Sequence, residues 1–347
     1  MTETATKTLP IEKIVNDILG TIDREREREI VSRRYGLFDR KETLEQIGEL
    51  LGITRERVRQ LEKAVVQRLK AQAESADMPH ITEVQTAFVE AVHGLGKVAR
   101  IQDLSAKFTK ENSKLDQARV AFLASLCPEL SVIEDNDHFH HAVGVTTVHD
   151  ENAIKKLVDK IIDTIKQHGE PADIKTIADK AGNKDHEHAQ ALASISKHLA
   201  SLNGRWGLMK WPMVNPKNIR DKIYVILKEN GKQMHFNEIA DAIKKSDFKR
   251  KDVTTQAIHN ELIKDKRFVL IGRGIYALKE WGYNKGTVAD VIVDVLKKAG
   301  EPLHRDEIVK RVLKSRYVKE TTILLNLQGK DQFKRVAKAT YTIAEAE

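Results

Sequence analysis

Over residues 42–70 apolar side chains recur at helical spacing on both sides of a glycine. Leu44, Ile47 and Leu51 precede Gly52, and Val58, Leu61, Val65 and Leu69 follow it. The spacing predicts two amphipathic helices joined by a tight turn. Thr43 with Gln46 three positions on makes a capping-box start, Gly52 stands where a helix ends in the left-handed conformation, and Thr54 can cap the second helix. Opposite the apolar seam of that helix lie Arg55, Glu56, Arg59, Gln60 and Lys63, linked by steps of four. Arg can grip guanine, Gln adenine and Glu cytosine at the base edges, while the remaining Arg and Lys neutralise phosphates. The same pattern fits a solvated face laced with Glu–Arg pairs, and the residues alone weigh the two readings evenly.

Further along, the pattern repeats. "IRDKIYVILKENGKQMHFNEIADAI" from Ile219 and "VADVIVDVLKKAGEPLHRDEIVKRV" from Val288 share an apolar helix, a glycine, a short extended link and a second helix. "RFVLIGRGIYALKE" from Arg267 and "QFKRVAKATYTIAE" from Gln332 then align Phe268 with Phe333, Tyr276 with Tyr341 and Leu278 with Ile343, as alternating strands around a turn. Two fainter copies precede these: Gly96, Gly169, Gly231 and Gly300 are each followed eight positions later by Leu104, Ile177, Ile239 and Ile308. Each copy is predicted to be three helices closed by a β-hairpin. The expected fold is therefore mainly α: a helix-turn-helix domain followed by tandem winged-helix repeats. Its divisions are a lead-in helix in residues 1–23, the helix-turn-helix in 24–75, a degenerate acidic repeat in 80–148, and further repeats in 151–214, 217–282 and 286–347. In the third copy Lys244, Lys245, Lys249, Arg250 and Lys251 precede the helix that would enter a groove, and Lys264, Lys266 and Arg267 lead into the wing. Winged helices also serve as protein-docking units, so fold alone leaves the partner open.

At 347 residues the chain exceeds a common domain size of about 100–200 residues, which favours two or more domains. Apolar residues, at 41%, suffice for packed cores, yet no run approaches the roughly 20 needed for a membrane span. The first ten residues lack a basic segment followed by an apolar one, and Cys127 is the single cysteine. A cytoplasmic, nucleoid-associated protein is expected. The net charge of +8 is uneven: −1 over residues 1–20, +3 over 21–72, −6 over 73–150, +2 over 151–213 and +10 over 214–347. The basic C-terminal third favours a polyanion, and the acidic block is better suited to a protein contact.

Other chemistry is sparse. His138, His140, His141 and His149 cluster beside Glu134, Asp135 and Asp137, without a nearby cysteine; a hairpin tip is expected there rather than a metal site. "DHEH" in residues 185–188 is weaker still. No Gly-rich phosphate cradle, Ser/His/Asp set or paired acids beside a lysine emerges, so no catalytic site, metal or cofactor is expected. "GRGIYAL" from Gly272 reads as a wing turn. Trp206 and Trp211 in "WGLMKWP" read as wing packing, with a base-stacking platform as the other option.

The stretches "REREIVSRRYGL" (residues 26–37) and "TLEQIGELLGITRERVRQLEKAVVQRLK" (residues 43–70) resemble the fourth conserved region of bacterial sigma-70 family factors. The resemblance spans about one seventh of the chain, and the core "TRERVRQLE" is its most specific part. It implies base contacts for Arg55, Glu56 and Gln60, phosphate contacts for Arg26, Arg57 and Arg59, binding to a promoter −35-like element in double-stranded DNA, and docking on the β flap of RNA polymerase core. A complete sigma factor melts promoters with an aromatic-rich region ahead of this one. Some twenty residues precede Arg24, so the chain is not expected to open a promoter alone. Residues 219–280 resemble HARE-HTH domains, winged helices of restriction systems, chromatin proteins and the polymerase delta subunit. Together these point to a sequence-specific, non-enzymatic transcription factor acting in initiation or its regulation with bacterial RNA polymerase. Besides base reading by residues 55–60, the expected DNA contacts are Lys63 and, in the third copy, Lys249, Arg250 and Lys251. The alternatives are a delta-like interaction protein bound to polymerase and a DNA-binding subunit of a restriction or repair system.

Overall fold

The computed structural model describes residues 9–148, 150–248, 250, 252–283 and 286–344; His149, Lys249 and Lys251 lie outside them. The chain divides into two compact units, Met1–Lys210 and Trp211–Glu347. The first opens with α1 (Ile11–Gly20), α2 (Glu25–Tyr35), α3 (Leu44–Leu51) and α4 (Arg55–Glu74). Two repeats follow. One comprises α5 (Ile81–Gly94), β1 (Val98–Arg100), α6 (Ile101–Phe108), α7 (Lys114–Leu126), β2 (Leu130–Ile133) and β3 (Ala142–Val145). The next comprises α8 (Glu151–His168), β4 (Ala172–Asp173), α9 (Ile174–Lys180), α10 (His186–Ile195), β5 (Leu199–Leu202) and β6 (Arg205–Leu208).

The second unit holds two more repeats. The third comprises α11 (Ile219–Asn230), β7 (Met234–His235), α12 (Phe236–Lys245), α13 (Thr255–Lys264), β8 (Phe268–Gly272) and β9 (Ile275–Leu278). The fourth comprises α14 (Val288–Ala299), β10 (Leu303–His304), α15 (Arg305–Ser315), α16 (Glu320–Gly329), β11 (Phe333–Ala337) and β12 (Thr340–Ile343). The protein is mainly helical, with small antiparallel sheets, consistent with a helix-turn-helix followed by winged-helix repeats.

In every repeat the last strand is central, flanked by the short strand after the first helix and by its hairpin partner. The aligned residues occupy equal register positions: Phe268 faces Leu278 as Phe333 faces Ile343, and Met234 faces Tyr276 as Leu303 faces Tyr341. The glycine spacing also has a physical cause. Gly169, Gly231 and Gly300 end the first helix of their repeats in the left-handed conformation, and Leu104, Ile177, Ile239 and Ile308 are each buried on the second helix.

The helix-turn-helix does not pack alone. Ile30, Ile47 and Val58 form a small core between α2, α3 and the start of α4. The far half of α4 instead buries Val65, Leu69 and Ala73 in a larger core that runs from Leu9, just ahead of α1, and Ile14 on α1 through Phe88 on α5 to Val120 and Phe122 on α7. Seven residues of α7 are buried, among them Arg119. Its Nε donates to the Leu37 carbonyl at 2.8 Å, its Nη1 donates to Glu12 at 3.0 Å, and its guanidinium lies 5.7 Å from the centre of the Phe38 ring. The third helix of the first repeat is thus an interior element. The second repeat docks in the same manner: Nδ1–H of His188 on α10 donates to the Gly96 carbonyl at 2.7 Å, and Lys97 pairs with Asp185 at 2.7 Å. A Cβ on Gly96 would lie 2.8 Å from that of Ala191, so this approach requires glycine.

The histidine-rich segment connects β2 to β3 and packs against the second repeat. His138 Nδ1 lies 2.7 Å from His198 Nε2, and the amide of His140 donates to Ile195 O at 2.8 Å. Among the described residues no cluster of three His, Cys, Asp or Glu is placed to hold a metal ion, and no helix is long and apolar enough to cross a membrane.

Arg119→Ala strands the Leu37 carbonyl and removes the tie to Glu12. Losing a partner of a buried polar group costs about 1–3 kcal/mol. Urea unfolding followed by circular dichroism should register that loss, and amide exchange should quicken in residues 36–41. An unchanged midpoint would show that the clamp is dispensable.

Candidate nucleic-acid interface

The turn between α3 and α4 is built from the residues its spacing predicts. Thr43 Oγ1 accepts from the Gln46 amide at 3.3 Å, while Gln46 Oε1 accepts from the Thr43 amide at 2.9 Å. Gly52 adopts φ of 63°, and Thr54 Oγ1 accepts from the Arg57 amide at 3.2 Å. Gly48 matters as much, although its position in the helix gives no such sign. A Cβ there would lie 2.7 Å from the Ile53 carbonyl, so only glycine lets the two helices close this tightly.

Behind α4, ion pairs hold α2 in place. The buried carboxylate of Glu27 takes Arg68 from α4 and Arg24 at 3.4 Å. Arg34 reaches Glu62 on α4 at 3.4 Å, and Arg33 bridges Glu29 at 2.9 Å and Glu42 at 3.0 Å. Glu29, the nearest of these hydrogen-bonding carboxylates in effect, together with Glu42, raises the Arg33 pKa against the opposing cost of burial. These four arginines are structural. Sequence spacing shows none of the long-range partners.

On the opposite side of α4, Arg55, Glu56, Arg57, Arg59, Gln60 and Lys63 are all exposed. Glu56 accepts from Arg59 through two bonds, 2.8 and 2.7 Å, and from Gln60 at 3.4 Å. Arg57 donates to the Gln60 side-chain oxygen at 3.4 Å, and Arg55 pairs with Glu45 across the turn at 2.8 Å. The Arg59 hydrogen bonds hold the Glu56 carboxyl below its ordinary range and raise Arg59 in return. Both sequence readings of this face therefore have a physical counterpart: the Glu–Arg lacing exists, and every member of it stands in solvent. Exposed pairs of this kind add little to stability and exchange readily for other partners.

The remaining candidates fall elsewhere. Arg26, on α2, is exposed and donates through Nη2 to the Leu51 carbonyl at the end of α3. Arg250 belongs to the second unit, is exposed at φ of 54°, and offers its carbonyl to the buried ammonium of Lys222 at 2.6 Å. Burial first, and then the Arg250 charge, lowers the Lys222 pKa. Arg267 is engaged internally, by Asp265 at 2.7 Å and Asp221 at 3.2 Å, with its guanidinium 5.2 Å from the Tyr224 ring centre.

Comparison with known proteins agrees with the reading of this segment. Residues 24–71 match the family described as Sigma-70, region 4. RNA polymerase sigma factor sigB of Arabidopsis thaliana is 46% identical over 57 residues, covering 16% of this chain and 9% of that protein. SigA of a Bacillus species is 37% identical over 70 residues, covering 20% and 18%. SigA1 of Synechococcus elongatus is 46% identical over 54 residues, covering 15% and 13%. The chain spans less than a fifth of the length of these relatives. Residues 24–71 are thus a sigma region 4 domain, a non-enzymatic helix-turn-helix of the DNA-binding kind.

Arg26→Ala separates its two roles. Loss of the bond to Leu51 O should lower stability by about 0.5–1.5 kcal/mol in a denaturant titration. If Arg26 also meets a phosphate, the slope of log affinity against log salt should fall by about 0.9. A variant of unaltered stability would show that the Leu51 contact contributes nothing.

Proposed function

We propose that this chain is a sequence-specific transcription factor that reads duplex DNA through α4 and acts in initiation or its regulation with bacterial RNA polymerase. The observation that carries the reading is the solvent-exposed face of α4, with Arg55, Glu56 and Gln60 available to base edges, on the stretch matched to sigma region 4. Arg57, Arg59 and Lys63 flank that face and suit phosphates, with Arg26 beside the turn. The target is a promoter −35-like element, and the polymerase partner is the core enzyme through its β flap. The second unit, built of HARE-HTH-like winged helices, supports binding through the DNA backbone, consistent with the +10 charge of residues 214–347. The protein works in the cytoplasm at the nucleoid, without catalysis or cofactor.

A second reading, a delta-like protein that docks on polymerase, draws on different observations. The third helices α7 and α10 are largely buried, and α13 and α16 expose Ile263 and Leu325. Such helices suit protein contacts. Salt dependence separates the readings, because counterion release gives a steep slope only to a protein that neutralises phosphates.

A preferred duplex is first selected from a random pool with the full-length protein. Gln60→Ala should then cost about 1–3 kcal/mol on that duplex and relax preference at one base pair. Fluorescence anisotropy on preferred and scrambled duplexes measures both. Equal losses on all sequences would refute base reading by Gln60, and a shallow salt slope in the parent protein would favour the polymerase-docking alternative.

A further inference from the structure

The third and fourth repeats close with hairpins of the same register, yet their outer faces differ. In the third, β8 pairs Phe268 with Leu278, Val269 with Ala277 and Leu270 with Tyr276, then shifts before Gly272. In the fourth, β11 pairs Phe333 with Ile343, Lys334 with Thr342 and Arg335 with Tyr341, then shifts before Ala337. Residue for residue, Val269 corresponds to Lys334, Leu270 to Arg335, Ile271 to Val336 and Arg273 to Lys338.

The covered hairpin is the apolar one. Val269 and Ile271 are 1% and 0% exposed, and Trp281, Tyr283 and Ile275 pack over them. The β8 edge is used as well, since Arg316 Nη1 donates to the Leu270 carbonyl at 3.2 Å. The basic hairpin is bare. Residues 334–338 are exposed without interruption, Val336 at 48%, on a strand at the edge of its sheet. Among the described residues no ion pair holds Lys334, Arg335 or Lys338. Arg335 Nε donates to the Ala337 carbonyl at 3.2 Å, which lays its guanidinium along the bulge. Asp331 is the sole carboxylate between Lys330 and Ile343. The third helix of the same repeat offers no such chemistry: α16 contains neither Lys nor Arg, and its Leu325 is 68% exposed.

We propose that the β11–β12 hairpin is a nucleic-acid contact of the second unit, with Lys334, Arg335 and Lys338 neutralising phosphates of duplex DNA. The proposal rests on the DNA-binding function given above and assigns its backbone contact to a particular element. An edge strand carrying unpaired cations is matched to a row of phosphates, and an unpaired row of Lys and Arg on a protein-docking surface would need a carboxylate row in return. The proposal commits to the duplex.

The test uses the full-length protein with Lys334→Gln, Arg335→Gln and Lys338→Gln combined. Anisotropy titrations on preferred and scrambled duplexes span a salt series. Each phosphate contact contributes about 0.9 to the slope of log affinity against log salt. The triple variant should therefore lose about two to three slope units on both duplexes while keeping the ratio of affinities between them. A charge-retaining variant, Lys334→Arg with Arg335→Lys and Lys338→Arg, should keep the parent slope, which ties the loss to charge, and a parent-like circular dichroism melt of the triple Gln variant excludes a folding defect. A parent slope in the triple variant, with sequence preference intact, overturns the hairpin assignment and leaves the reading by α4 standing. A parent protein without salt-dependent binding or sequence preference overturns both.

Discussion

The fold hangs on a single helix that belongs to two cores at once. The start of α4 closes the small core of the helix-turn-helix through Val58, and its far half inserts Val65 and Leu69 among the helices of the first repeat. Burying a valine or leucine stabilises by about 1.5–3 kcal/mol, so neither half can leave its core without a large fraction of a typical domain's stability. Because an α-helix transmits orientation along its length, the face that carries Arg55, Glu56 and Gln60 is aimed by residues two to four turns away. Arg119 adds a second tie from the same repeat, through Leu37 in the connection that leads to α3. The first repeat therefore acts as the mount of the helix-turn-helix.

That mounting explains how one topology serves different ends along the chain. A helix in the third position of a winged-helix plan can face a groove only if its outer side is free. In α7 the outer side carries Arg119 and Phe122 and meets Leu37 and Tyr35 of the helix-turn-helix domain; in α10 it carries His188 and Ala191 and meets the first repeat at Gly96. The hairpins of the second unit divide in the same way, one roofed by Trp281 and Tyr283 and one left basic and open. Position within a fold sets what an element can reach. Its side chains decide what it binds.

Local features were legible from sequence because their causes are local. The capping box at Thr43, the left-handed turn at Gly52, the seam of Ile47 and Val58, and the equal registers of the Phe268 and Phe333 hairpins all follow from residues within a few positions of each other. Gly48 was illegible because its constraint is the carbonyl of Ile53 folding back across the turn. The partners of charged residues were illegible for a stronger reason. Glu27 finds Arg68 forty-one positions away and Arg119 finds Leu37 eighty-two away, and no periodicity encodes such meetings. Charge totals do not reveal these pairs: Arg24, Arg33, Arg34 and Arg68 lie in the same block as Glu27, Glu29, Glu42 and Glu62, and they cancel within its +3.

The division between arginines that hold the fold and arginines left in solvent on α4 is an energetic one. Glu27 is a buried carboxylate held from two sides, and removing Arg68 would leave it with Arg24 alone, at 3.4 Å, in a site shielded from water. Glu56 and Arg59 are more than half exposed, and their pairing competes with water at little cost. On the function proposed above, a phosphate or base arriving at α4 would take Arg59 from Glu56 without disturbing the fold, and it would leave the Glu56 carboxylate with Gln60 alone, at 3.4 Å. That carboxylate then repels phosphates unless it meets a donor on a base edge. On the function proposed above, the exposed pair would act as a filter: duplexes that place a cytosine amino group near Glu56 would recover the exchanged bond, and those that do not would leave a negative charge beside the backbone.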